Sequence, residues 1–333
     1  MRGKRAKRLH LTDDEVTRLN AEFYGSFPYG EMAYQIAATL LMLDPRDEFI
    51  HLLTTNSPCG ELHVRMDETT PEAFRGAAAL GLLAHSQHLA ETLLRLLYVH
   101  ARREPCTWAA LAKLRDLGIV HNIASQVLAG AVSTPAGKRD VSEVVSEHIL
   151  GNRCRTPPLP EDHDAQVANT VEWVKYAASI ANGSHLYNGY KHGLALSYRP
   201  PIPLAVKVGD ESYDDAMDPS IAYLRKPIGS EAARCLWVQD FDPVDAEQRG
   251  VGCLLMLHLI GDLILFGARE RSVRPVVEKP TFYPVSFTPE SVARKKCSPV
   301  VMGFSPREYG AGEDSIKAQG AVEQAHPADG AKQ

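Results

Sequence analysis

DAQVANTVEWVKYAASIANGSHLYNGYKH, residues 164–192, is the stretch whose periodicity decides how this chain folds. Val167, Val171, Val174, Ala178, Ala181, His185, Asn188 and His192 follow one another at alternating steps of four and three, which puts them on one stripe of a helix. The first five are apolar and predict a face packed into a helical bundle. The last three are polar and keep the same register. A buried imidazole needs a partner for each ring nitrogen, so His185, Asn188 and His192 imply a polar network, a ligand or a metal. A helix end emerging from the core, loosened by Gly183 and Gly189, accounts for the same pattern. The helix is expected to run from about Asp164 to near Gly193, with Lys191 in its last turn, where the helix dipole favours a cation.

Outward from this helix, Thr12-Asp-Asp-Glu15 reads as a capping box opening a helix to about Tyr24, and a second helix covers Glu31–Leu43. Thr70-Pro71-Glu72 opens a long helix to about Arg103, with Pro at its first position. Trp108–Leu117, His121–Ala131 and Val141–Leu150 follow as shorter helices, and Thr156–Pro160 is a loop. Beyond Gly193 the period turns extended. Leu194–Tyr198, Leu204–Val208, Ile221–Leu224 and Cys235–Phe241 predict a small antiparallel sheet. Asp242-Pro243 then caps an apolar helix that runs to about Arg271. Its centre, VGCLLMLHLIGDLILF (251–266), is shorter than the ~20 residues a bilayer needs and carries His258 and Asp262, so it reads as a core helix. Edge strands fit Val273–Gly303, and a disordered tail is expected from Ser305. The expected fold is mainly α, a helical bundle with a small antiparallel β insertion. Its segments are 1–69 (N-terminal helices), 70–195 (helical core), 196–304 (β insertion, apolar helix and edge strands) and 305–333 (tail).

The 333 residues are 44% hydrophobic and 23% charged, with a formal net charge of -5, which excludes a collagen-like, fully disordered or multi-span membrane chain. Six cysteines without a C-x-x-C pair read as reduced, mostly buried thiols. The basic run Met1–Arg8 lacks an apolar core after it, so it reads as a solvated terminus and not a secretory signal. A cytoplasmic protein without a membrane partner is the resulting expectation. The acidic balance argues against a general nucleic-acid coat.

Two further patterns carry chemistry. His258 and Asp262 stand at i, i+4 in a helix apolar on every side, where an ionised carboxylate must be paired or hydrogen-bonded. They read as a structural polar pair or as metal ligands. On the long helix, His85, His88, Glu91, Thr92 and Arg95 share about a third of the circumference. They form a solvated stripe, or, as His-x-x-His-x-x-Glu, part of a divalent-metal site needing further ligands. Gly130–Arg139 fails as a phosphate loop, because its glycines are wrongly spaced and Arg139 stands where Ser or Thr is required. The sequence has no G-x-S-x-G, H-E-x-x-H or G-x-G-x-x-G.

Tyr187-Asn-Gly-Tyr-Lys-His-Gly193, closing a long helix, resembles the Asn-x-x-Lys-His-Gly signature at the end of the last helix in many HEPN-like helical bundles. The 71–103 helix resembles the partner helix of that bundle, and the likeness spans about residues 70–195. The resemblance implies a homodimer whose paired subunits hold RNA or a nucleotide in one cleft. It assigns His192 to general acid or base work, a protonated His185 to the place of the second cation at the phosphate, Lys191 to offsetting phosphate charge, and Asn188, Tyr187 and Tyr190 to ligand contact. The family's ribonucleases carry an Arg four to six residues before the His, where this chain has His185, Leu186 and Tyr187. That departure puts nuclease activity in doubt. Arg95 does precede His100 at such a spacing, but the two lie about 140° apart on a continuous helix. Two alternatives stay open: a non-enzymatic interaction module, and a metal site joining His185 or His192 to His258 and Asp262.

Overall fold

The computed structural model describes residues 11–54, 57–59, 62–64, 70–152, 160–183, 187, 196–200, 202–208, 211–217, 219–225, 237–243, 245–273 and 301–304. The protein is mainly α, with small antiparallel sheets. Its contacts divide it into two units, Met1–His192 with Val244–Lys295, and Gly193–Pro243 with Lys296–Gln333.

The first unit is helical. Helix α1 (Asp13–Gly25) starts on the expected capping box: the Thr12 hydroxyl accepts from the Glu15 amide at 3.3 Å, and the Glu15 carboxylate accepts from the Thr12 amide at 2.8 Å. Helix α2 (Tyr29–Leu41) buries Tyr29 and Ile36. Helix α3 (Asp47–Thr54) and a hairpin of β1 (Ser57–Cys59) and β2 (Leu62–Val64) follow; none of the three was legible in the sequence. The long helix α4 (Pro71–Ala101, 31 residues) is capped by Thr70, which accepts from the Ala73 amide. Leu82, Leu89, Leu93, Leu94, Leu96 and Leu97 are all buried, which is what a central helix requires.

Helices α5 (Thr107–Lys113) and α6 (Leu117–Leu128) sit earlier than the expected Trp108–Leu117 and His121–Ala131. Asp116 explains the shift, because its carboxylate accepts from the Gly118 amide at 2.7 Å and so starts α6. What failed as a phosphate loop is a hairpin, β3 (Ala131–Thr134) with β4 (Gly137–Asp140). Gly130 (φ 79°) ends α6 and Gly137 (φ 123°) turns the hairpin, both in the left-handed region that glycine enters without a steric cost. Asp140 then caps α7 (Val141–His148).

Helix α8 (Pro160–Asn182) keeps the predicted register: Val174, Ala178 and Ala181 are buried, and Val167 and Val171 half-buried. It closes at Asn182, short of the expected Gly193. The Gly183 amide donates to the carbonyls of Ser179 and Ile180, tightening the last turn. Of the polar continuation only Tyr187 belongs to the described residues. His185, Asn188, Tyr190, Lys191 and His192 lie outside them, as do the basic run and the tail from Ser305.

Helix α9 (Ala246–Glu270), capped by Asp245, packs along α4 in this same unit. It is long and apolar enough to cross a membrane by composition alone, yet 78% of its most apolar window is buried inside the protein, which is the behaviour of a core helix. Gly250 and Gly267 allow the close approach: a Cβ on the first would overlap Leu40, and on the second Tyr24 and His100. Cys106 and Cys253 are free and buried, as thiols without a nearby partner should be.

In the second unit, β5 (Ser197–Arg199), β8 (Ser220–Arg225), β9 (Trp237–Pro243) and β10 (Val301–Phe304) form an antiparallel sheet of order β10-β9-β8-β5. Strands β6 (Ile202–Val208) and β7 (Glu211–Met217) pair as a separate ribbon, Val206 opposite Tyr213. The β7 sequence ESYDDAM is too polar to signal a strand; pairing with β6 defines it.

Candidate functional site

Helix α4 has one polar face. Thr39 on α2 donates its hydroxyl proton to the Gln35 carbonyl at 2.8 Å, so His85 Nε2–H donates to Thr39 Oγ1 at 3.2 Å. Burial, with the neighbouring His88 second, pushes the His85 pKa down and keeps that imidazole neutral. His88, one turn on, is exposed; its Nε2 is hydrogen-bonded to the Tyr187 hydroxyl, and the two rings meet edge to face with centroids 5.2 Å apart. Glu91 accepts from Gln87 Nε2 at 3.1 Å through one oxygen and from Arg95 Nη2 at 2.9 Å through the other.

The predicted stripe His85, His88, Glu91, Thr92 and Arg95 therefore exists as one half-buried face, with Tyr187 added from the signature segment. Arg95 carries the guanidinium of this face, and its ion pair with Glu91 is largely shielded, the two side chains being 25% and 14% exposed.

His258 and Asp262 are buried on α9, with Nε2 3.6 Å from Oδ2, close enough for charge interaction and too long for a good hydrogen bond. Tyr29 lies against Gly261, and burial, then the Asp262 charge, raises its pKa. His258 and Asp262 would give a metal two donors. Among the described residues no three His, Cys, Asp or Glu side chains gather as ligands. The other members of that set, His185 and His192, lie outside the described residues.

No protein-family model, no curated protein and no solved structure matches this chain. The site is therefore read from its own geometry.

One histidine cluster was not singled out from the sequence. His100, in the last turn of α4, and His148, in the last turn of α7, are both buried, with ring centroids 6.3 Å apart. Phe266 of α9 stands edge-on to both, and Tyr24 of α1 lies against His100. Among the described residues, His100 Nε2 and both nitrogens of His148 find no hydrogen-bond partner. Burial, the Arg271 charge and the proximity of His148 push the His100 pKa down to about 3. Burial is also the main cause for His148, at about 4; Glu147 opposes it, and Arg139 and Arg103 reinforce it. The signal was in the sequence: Val141, Val144, Val145 and His148 have the i, i+3, i+4, i+7 spacing of a buried stripe.

Proposed function

We propose that the helical unit binds a phosphate-bearing ligand, RNA or a nucleotide, on the polar face of α4. The observation carrying this reading is the His88–Tyr187 contact, because it sets the first residue of the Tyr187–Gly193 segment on the face that holds His85, Glu91 and Arg95. Arg95 offers a planar donor fork to a phosphate, and His88 and Tyr187 offer a ring pair for a base. The HEPN-like resemblance supports the same face and extends it: Asn188 and Tyr190 as further ligand contacts, Lys191 and a protonated His185 offsetting phosphate charge, His192 as general acid or base on the nucleophile or leaving oxygen if the site cleaves RNA, and a second copy completing the cleft.

The test is anisotropy of labelled single-stranded RNA and of a labelled nucleotide at low and moderate salt, with a parallel cleavage assay. Arg95→Ala and His192→Ala are each expected to weaken binding at least tenfold with unchanged helical content. Binding and cleavage that are equal in wild type and both variants, or absent throughout, defeat the proposal.

A second reading has its own observation. Glu91 accepts from both Gln87 and Arg95, and side chains bonded to one another on a single helix suit a non-enzymatic interaction module. It predicts that His185→Ala lowers the melting temperature while no RNA or nucleotide raises it.

A further inference from the structure

His148 has one carboxylate near it among the described residues, Glu147, whose Oε1 is 3.8 Å from His148 Nε2. That carboxylate is already committed. Arg103 Nη2 donates to one oxygen at 2.7 Å and Arg139 Nη2 to the other at 2.7 Å. Behind His100, Arg271 lies over the Tyr24 ring at 5.5 Å and donates to the Glu104 carbonyl at 2.8 Å. A proton added to either imidazole would therefore enter a buried pocket walled by aromatic edges and three guanidinium groups.

We propose that His100 and His148 form an acid-operated latch, in which protonation of His148 releases α7 from α4, α8 and α9 while the remaining helices of the unit stay folded. Helix α7 is the piece that leaves because it is eight residues long and packs on α4, α8 and α9 through one apolar stripe, Val141, Val144 and Val145, completed by His148 itself and followed by the buried Ile149 and Leu150. Every group around it bears on the same balance. From α1 there is Tyr24, neutral because burial raises its pKa. After α4 come Arg103 and Glu104, and Thr107 of α5 is hydrogen-bonded to Tyr24. Strand β4 contributes Arg139, and α7 contributes Glu143, 3.8 Å from Arg139, as well as Glu147. Past α9 stands Arg271. From α8, His163 meets Ser146 of α7, and the Lys175 charge reaches Asp140 at the α7 cap. Burial raises the Glu147 pKa, but the hydrogen bonds from Arg139 and Arg103 outweigh it and hold the carboxyl below its ordinary value. Strong acid then removes that anion too and leaves the arginines facing the protonated pair.

In the closed state the His148 imidazole stays neutral down to about pH 4; once α7 leaves it takes up a proton below about 6.5, while His100 stays on α4 against Tyr24, Phe266 and Arg271. Between those limits opening binds one proton, so its equilibrium constant rises roughly tenfold per pH unit. Hydrogen exchange of the full chain, followed by mass spectrometry from pH 7 to 4.5 and divided by the intrinsic rates, reads this directly. Residues 141–149 should show the roughly tenfold slope below pH 6, while the α4 segment 82–97 and α9 keep their protection. His148→Leu and the polar His148→Gln should each flatten the slope to under about twofold. A wild-type slope under about twofold overturns the latch. So does loss of protection in α4 and α9 at the same pH and slope as α7, or an undiminished slope in either variant. If neither variant folds, the wild-type slope and its confinement to α7 decide.

Discussion

Helix α4 carries histidine in two settings, and the contrast separates what a site can bind from what a core can bear. At His85 and His88 each ring has a hydroxyl partner, Thr39 or Tyr187, and His88 is exposed. At His100 the same helix has turned that side chain into the core, against His148 and Phe266, where nitrogens lack partners among the described residues and positive charge already surrounds the rings. The first setting gives each ring a hydroxyl partner. The second admits only the neutral form and makes stability depend on pH.

The largest test of this contrast is acid. His100 and His148 have folded pKa values far below the unfolded 6.5, so the unfolded chain binds more protons and stability falls as pH drops below about 6.5, until the folded values of about 3 and 4 are reached. Urea unfolding at pH 5 should give a free energy about 4 kcal/mol lower than at pH 7, from two groups each contributing about 2 kcal/mol. A flat profile across that range would break the comparison. Next in size, Gly267→Ala drives a methyl group into Tyr24 and His100 and should cost about 3 kcal/mol in the same experiment. A change under about 1 kcal/mol would mean that the cluster repacks freely.

The α4 face should respond weakly by the same measure. His88→Ala removes one exposed hydrogen bond and should change stability by less than about 1 kcal/mol, while weakening RNA or nucleotide binding several-fold. The smallest stability change is expected from Glu91→Gln, about 0.5 kcal/mol from the lost ion pair. It also sharpens the comparison most, because it frees Arg95: anisotropy should show tighter phosphate binding than wild type, and weaker binding would show that Glu91 itself serves the ligand.

The helix starts at Thr12 and Thr70 were legible because capping chemistry is local: a side-chain oxygen meets an amide three residues on. So was the α8 seam as far as Ala181, since helical period depends only on spacing. The β3–β4 hairpin was missed although Gly130 and Gly137 marked it, because four-residue strands are too short to show alternation. His148 was missed for a different reason. Its spacing assigns it to the core, but nothing local to α7 indicates that α4 and α9 bring His100 and Phe266 beside it.

The sequence by itself determined the buried seam of α8, the starts of the helices capped by Thr12 and Thr70, and that α9, with His258 and Asp262 in an apolar run, belongs to a core. Only the tertiary structure decided which polar groups meet: Tyr187 with His88, Glu147 with two arginines, and His100 with His148. The physical reason is range. Period and capping act within one or two turns of one segment, whereas a pKa or a binding face is set by groups far apart in the chain that packing brings within a few ångströms.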